Sequence, residues 1–221
     1  MIIAIDGPSG SGKSTLGRLL ARELRLLYID TGSMYRAVAL AVIKANIDPS
    51  DKDAVTSLAN EIDIDLEGDP DSLKVLLNGS DVTDQIRTEP VTAMSSIVST
   101  IPGVRRAMVE RQRAIGKQGG VLNGRDIGTV VFPDADIKFF LTANPNARAE
   151  RRYIEDHFTS SSTATLAETL ADMLERDRRD STRADSPLKV ADDAVVIDST
   201  EKGIEEVFAE MMKHINVHRN H

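Results

Sequence analysis

Gly7-Pro8-Ser9-Gly10-Ser11-Gly12-Lys13-Ser14 follows the apolar run Ile2–Asp6 and leads straight into Thr15-Leu16-Gly17-Arg18-Leu19-Leu20-Ala21. The stretch satisfies the spacing G-x-x-x-x-G-K-[ST] without a mismatch, and its context of strand before and helix after is the one that spacing requires. Glycines allow successive backbone N–H groups to turn inward around phosphate oxygens. The start of the following helix adds further donors and a favourable dipole. Lys13 supplies a positive charge for the β- and γ-phosphates, and the Ser14 hydroxyl is suited to coordinating Mg²⁺. Gly7, Pro8, Ser9, Gly10, Ser11, Gly12, Lys13, Ser14 and Thr15 are therefore the candidate ATP-binding residues, with Lys13 the candidate catalytic cation and Ser14 the candidate metal ligand. The loop identifies a nucleotide and leaves the reaction open. A guanine-reading Asn-Lys-x-Asp is not matched, because Asn123-Gly124-Arg125-Asp126 lacks the lysine, and no acidic pair ends an apolar strand as in motor or transport ATPases.

Working outward, short apolar runs alternate with segments of helical period. The strands expected are Ile2–Asp6, Leu26–Asp30, Gly120–Asn123, Ile137–Thr142 and Ala194–Asp198. The helices expected are Lys13–Arg25, Ser33–Ala45, Val104–Lys117, Asn146–Glu155, Leu166–Asp180 and Glu201–Asn216. Strands that are apolar along their whole length and alternate with helices imply a parallel sheet covered on both faces. Right-handed crossovers then gather the C-terminal ends of the strands, and any ligand crevice, at one edge.

Two segments break this rhythm. Ile62–Val82 reads as short alternating pieces, split by Gly68-Asp69-Pro70-Asp71 and followed by Asn78-Gly79, a strong hairpin signal. It implies a small antiparallel insert. His157–Ala164 is a polar run before Thr165-Leu166-Ala167-Glu168, a capping-box pattern, and an arginine-rich helix followed by a polar loop has the composition of a closing lid.

The chain has 221 residues, a formal net charge of -8 and no cysteine. Length and composition fit one or two globular domains. A net negative charge opposes general binding to nucleic-acid polymers, and the absence of cysteine excludes disulfides and thiolate metal sites. Positive charge is nevertheless clustered at Arg148, Arg151 and Arg152 and again at Arg176, Arg178, Arg179 and Arg183. Such clusters in an acidic chain suit a small anionic ligand, although charge runs also occur as solvated helix faces with i,i+4 pairing. The start of the chain has neither a basic region nor a long apolar one, and no stretch approaches a membrane span, so a cytoplasmic protein is expected. No aromatic-rich patch points to a dedicated partner, and a monomer is expected.

Asp30-Thr31-Gly32-Ser33-Met34-Tyr35-Arg36, Asn123-Gly124-Arg125-Asp126-Ile127-Gly128-Thr129, Glu175-Arg176 with Asp180 and Arg183, Ser186-Pro187-Leu188 and Ala194-Val195-Val196-Ile197-Asp198 occur in that order. This ordered set, from Met1 to about Met212, resembles the bacterial cytidylate kinases, a branch of the nucleoside monophosphate kinases that acts on CMP and dCMP. The resemblance implies an α/β, three-layer P-loop NTPase fold with a five-stranded parallel sheet. It also implies a core of residues 1–30, 96–150 and 166–221, a small antiparallel monophosphate-binding insert at 31–95 and a lid at 151–165. It implies ATP with Mg²⁺ as donor. Thr31, Arg36 and Arg125 are expected at the CMP phosphate, where a guanidinium forks onto two oxygens. Ser96, Arg105 and Asp126 match positions near the cytosine, whose N4 amino group a carboxylate accepts from. Arg176, Asp180 and Arg183 are expected at the ribose and phosphate, since i, i+4 and i+7 share a helical face. Arg125, Arg151 and Arg152 join Lys13 as catalytic candidates, and Arg148, Arg151 and Arg152 share a face from which they could bring charge over the transferring phosphoryl. Departures from the family pattern are a threonine at 31, which keeps the hydroxyl, and a lid run, Phe158-Thr-Ser-Ser-Ser-Thr163, without charge or glycine.

Rival readings are a P-loop kinase for another acceptor (UMP, AMP, shikimate or a sugar acid) and a non-catalytic nucleotide-binding module. Asp30-Thr31-Gly32 is also the tripeptide of aspartic proteases, but that chemistry needs two such carboxylates sharing a proton, and one copy is present.

Overall fold

Five parallel strands carry the site: β1 (Ile2–Asp6), β2 (Tyr28–Asp30), β6 (Gly120–Gly124), β7 (Ile137–Thr142) and β8 (Val195–Asp198). The computed structural model describes residues 1–159 and 163–219. The strands stand in the order β2-β6-β1-β7-β8, so the chain crosses from β1 to β2 on one side and later from β6 to β7 on the other, and a ligand crevice opens at the C-terminal end of β1. Register fixes the level of that edge: Asp6 lies opposite Gly124 and Phe140, and Asp30 opposite Asn123. Ile3, Ile5, Leu16, Leu20, Phe139, Leu141, Met211 and Ile215 form the core on one face of the sheet. Ala4, Ile29, Val109, Leu122, Ile127 and Val131 form it on the other. This is the three-layer α/β architecture expected from the alternation of elements.

The expected strands are all present, with boundaries that local chemistry adjusts. α1 (Lys13–Leu24) closes with Arg25 in the left-handed region, φ 53°, and the Leu26 N–H bonds back to the Ala21 carbonyl at 2.9 Å. That is the closing geometry of a helix C-terminus, so Leu26 belongs to the helix end and β2 begins later than expected. α2 (Thr31–Lys44) begins two residues earlier than the expected Ser33, because the Asp30 carboxylate accepts the Gly32 N–H at 3.1 Å and caps it. Two helices were not expected: α3 (Lys52–Glu61), capped by Asp51, and α4 (Glu89–Val98), with proline in its first turn. α5 spans Pro102–Gly116. α6 runs over Pro145–Thr159, so the polar segment expected to be loop from His157 is helical at its start, and positions 160–162 of the expected lid lie outside the described residues. α7 spans Leu166–Thr182, with the Thr165–Glu168 capping box formed, and α8 spans Ile204–Arg219.

The antiparallel insert is present as β3 (Ile64–Glu67), β4 (Lys74–Leu77) and β5 (Ser80–Asp81). The β4–β5 turn is Asn78-Gly79, with φ 49° and 75°, the double left-handed conformation that matches strand twist. One continuous apolar cluster from Met34 to Met108 joins this sheet to α2, α3, α4 and α5. Among the described residues no helix is long and apolar enough to cross a membrane.

At Gly79 a Cβ would meet nothing within 4 Å, so Gly79→Ala isolates the cost of left-handed backbone, about 1–2 kcal/mol. For a chain of this size a melting temperature lower by roughly 2–8 °C is expected by calorimetry; an unchanged value would contradict the turn.

Candidate active site

The donor side is built where β1 turns into α1. Gly7 holds φ 145°, and a Cβ there would sit 2.0 Å from the Leu141 carbonyl oxygen of β7. Only glycine lets the loop pass so close to the neighbouring strand. Gly12 at φ 94° then begins α1. Around this loop the Ser11 hydroxyl donates to the Pro8 carbonyl at 3.0 Å. Lys13 Nζ donates to the same carbonyl at 2.5 Å and lies 3.4 Å from Ser11 Oγ. Burial, and next to it the Arg125 charge, push the Lys13 ammonium well below its ordinary value. A polyanion drawn into the loop would favour the charged form. Ser14 and Thr15 are exposed at the mouth, and Ser14 Oγ accepts from Asn123 Nδ2 at 3.1 Å.

Next to the loop, at the end of β6, lies an ion chain. Arg125 Nε donates to Asp180 at 2.9 Å, Asp180 lies 3.5 Å from Arg183, Arg183 lies 3.7 Å from Asp126, and Asp126 meets Arg105 at 2.5 Å. The chain links the end of β6 to α7 and α5 and is almost wholly buried. Burial pushes the Asp180 carboxyl up, but Arg125, Arg176 and Arg183 outweigh it and hold it below the usual carboxylate range. Arg105 lies 5.4 Å from the centroid of the Tyr35 ring, a cation–π distance. Ser96 Oγ, Arg105 Nε and Arg176 Nε are buried and have no hydrogen-bond partner among the described residues. Such groups are costly unless a further polar partner meets them.

Around Arg176 the cations crowd. Burial first, then Arg125, with Arg36 and Arg152 also contributing, bring its guanidinium down to about 10, with Asp180 working in the opposite direction. Arg36 is anchored at 3.1 Å by Asp30, the carboxylate that also caps α2. Asp30 is thus a cap and an arginine anchor, which leaves no free carboxylate for protease chemistry. Thr31 Oγ1 donates to the Asn123 carbonyl at 2.8 Å, at the level of the P-loop mouth. Beside this corner a cleft of about 760 Å³ runs between Ser14, Asp30, Ser33 and Arg36 on one wall and Lys74 and Arg87 on the other.

The structure therefore brings together Thr31, Arg36, Arg105, Arg125, Asp126, Arg176, Asp180 and Arg183 next to the P-loop. The α6 arginines, which share a face, take separate partners. Arg148 is a buried strut: it donates to the Ser9 and Ala143 carbonyls, both at 3.0 Å, and pairs with Asp177 of α7 at 2.7 Å. Arg151 donates to Ser199 Oγ at 3.0 Å and to the Ser199 and Thr200 carbonyls. Ser199 in turn touches the Ser11 carbonyl at 3.3 Å. Arg152 pairs with Asp156 at 2.8 Å and contributes to the charge around Arg176. They diverge because their partners come from three different places: the P-loop and α7, the loop after β8, and their own helix.

Sequence reasoning passed over Asp6, Asn123, Tyr35 and Asp177. Asp6 and Asn123 had a visible signal, a polar side chain within or ending an otherwise apolar strand; Tyr35 and Asp177 had none.

A phosphate cradle with its lysine, faced by a dense guanidinium site on the neighbouring strand end, defines a P-loop phosphotransferase of the nucleotide kinase class. Residues 3–217 match the family model described as cytidylate kinase. The chain is 51% identical over 208 residues to the cytidylate kinase of Geobacter sp. (strain M21), covering 94% of this chain and 89% of that protein. It is 44% identical over 214 residues to the cytidylate kinase of Rhodococcus opacus (strain B4), covering 96% and 93%. The fold is also similar to that of an uncharacterized protein from Eubacterium ventriosum ATCC 27560, at a TM-score of 0.52 and 14% identity over 98% of both chains. The chain belongs to the cytidylate kinase family.

Arg105→Met leaves buried Asp126 with Arg183 alone, and removal of one member of a buried pair costs about 3–5 kcal/mol. Urea unfolding is expected to show a loss of that size, and Arg105→Met with Asp126→Leu a smaller one. A double variant worse than the single would contradict a buried ion pair at this place.

Proposed function

We propose that the protein transfers the γ-phosphoryl of ATP to CMP and dCMP, giving ADP and CDP or dCDP. The observation that carries the reading is the ion chain from Arg125 to Arg105 set against the P-loop lysine, in a chain of the cytidylate kinase family. In this reading Gly7 to Thr15 hold the ATP phosphates, and Thr31, Arg36 and Arg125 hold the phosphate of the acceptor. Ser96, Arg105 and Asp126 meet the base. Arg176, Asp180 and Arg183 meet the ribose and phosphate. The division into core, insert (31–95) and lid (151–165) belongs to the same proposal, as do a cytoplasmic location and a monomeric state. Its Cys-free composition is compatible with a reducing compartment.

The chemistry is positioning and electrostatics. The acceptor is a phosphate oxygen, ionised at neutral pH, so the residues need supply no general base. Phosphoryl transfer passes through a loose transition state whose charge is spread over the equatorial oxygens. Lys13, Arg125 and Arg176 surround the place where that charge develops, and Arg152 adds to the field. Like-charge crowding costs these groups in the free protein, and the anionic transition state relieves it. For Mg²⁺, the exposed Ser14 hydroxyl fits as a ligand. Among the described residues no group of three His, Cys, Asp or Glu is placed to hold a metal, which suits an ion held chiefly by substrate phosphates and water. When bound with ATP, Mg²⁺ would neutralise phosphate charge.

Lys13→Ala is expected to lower turnover by about three orders of magnitude or more without loss of the circular-dichroism signal of the fold. Near-normal turnover would remove the loop from catalysis. In a coupled assay over CMP, dCMP, UMP and AMP, CMP and dCMP are expected to be preferred. Asp126→Ala should raise the KM for CMP far more than that for ATP; an equal shift in both would take Asp126 out of the acceptor site.

A further inference from the structure

We propose that Asp6 is a positioning residue of the acceptor site, holding the turn after β6 so that Arg125 and Asp126 stand at a fixed height beside the P-loop. The inference rests on the reading above of those two residues as acceptor contacts. Asp6 is the last residue of β1 and directly precedes Gly7, so it belongs to the donor side by sequence. Its side chain crosses to the other side. Oδ1 accepts the Ile127 N–H at 2.9 Å and Oδ2 the Gly128 N–H at 2.7 Å. Ile127 and Gly128 begin the helical turn Ile127–Val131, and the first N–H groups of a helical turn have no partner within it. One carboxylate thus fastens two otherwise orphaned donors, and the residues immediately before them are Arg125 and Asp126.

The groups around Asp6 leave this as its evident work. Lys13 attracts it from the P-loop, and Asp126 repels it from the turn. From β7, the stem of Lys138 lies against Gly128, while its ammonium bonds to the Pro133 carbonyl and pairs with Asp193. Burial raises the Asp6 carboxyl to about 6. The folded value lies above the unfolded one, so the native state holds its proton more tightly, and the stability this group contributes falls as pH rises from about 4 through about 6. At neutral pH the ionised carboxylate is a cost to the fold. A neutral residue of the same shape removes that cost but keeps a single acceptor oxygen, so stability and positioning can be pulled apart.

The test uses the full chain with Asp6→Asn, Asp6→Ala and Gly128→Ala. A Cβ at Gly128 would lie 3.1 Å from the Lys138 stem and 3.4 Å from Asp6 Oδ2, which crowds the clamp between them with Asp6 intact. Melting temperatures and steady-state kinetics for CMP and ATP are measured on each. For Asp6→Ala, kcat/KM for CMP is expected to fall about 10- to 100-fold, with a rise in KM for CMP and a KM for ATP within about 2-fold of the wild type. Asp6→Asn should recover part of the loss and melt close to the wild type, and Gly128→Ala should show the same split between the two substrates. Parameters for CMP and ATP that move together, or that stay unchanged while the melting temperature falls, would reduce Asp6 to a structural residue. A wild type inactive on CMP overturns the functional reading itself, and is seen before any variant is compared.

Discussion

Guanidinium groups cannot be buried side by side unless carboxylates are placed between them, and the site beside the P-loop is organised by that constraint. Asp180 stands between Arg125 and Arg183, and Asp126 between Arg183 and Arg105. The alternation lets three arginines, from α5 and from the ends of β6 and α7, share one poorly hydrated space. It stops short of neutrality at Arg176, where Arg125, Arg36 and Arg152 converge. The net positive field of a chain that is acidic as a whole is concentrated there, next to Lys13. A field of that shape has a use only if an anion with several charged oxygens enters it.

The sheet supplies the scaffold for this field. Parallel register brings the ends of β1, β2 and β6 to one level, so the phosphate cradle, the Asp30–Arg36 anchor and the Arg125–Asp126 pair meet although they are far apart in sequence. Behind them lie struts. Arg148 ties the Ser9 carbonyl to Asp177, and Arg151 ties α6 to the loop after β8. These arginines carry the same charge as the ones in the site. They are oriented by backbone carbonyls of their own chain, and so serve its geometry.

The donor half was legible in the sequence because Gly7 to Ser14 is contiguous, and its chemistry depends on local backbone shape. The strands of the core were legible for the same reason, as short apolar runs between helical segments. Where boundaries moved, a local polar contact moved them: Asp30 capping α2 at Thr31, and the left-handed Arg25 keeping Leu26 in the closing turn of α1. The apolar signal of α3 and α4 is weak because α3 buries only Val55 and Ala59 and α4 buries Ser95 and Ser96 beside Val91 and Val98. The acceptor half was named only through family resemblance. Which arginine pairs with which carboxylate depends on tertiary proximity between distant residues, such as the 55 positions that separate Arg125 from Asp180, and the different partners of Arg148, Arg151 and Arg152 on one helical face cannot be read from their spacing.

The sharing of Asp126 and Asp180 between successive arginines has a consequence for substitution. A change at Arg183 leaves Asp126 to Arg105 alone and Asp180 to Arg125 alone, and a change at either carboxylate leaves two guanidiniums without the charge between them. The energies of positions 105, 125, 126, 180 and 183 are therefore coupled, and the effects of substitutions among them do not add as those of independent sites do.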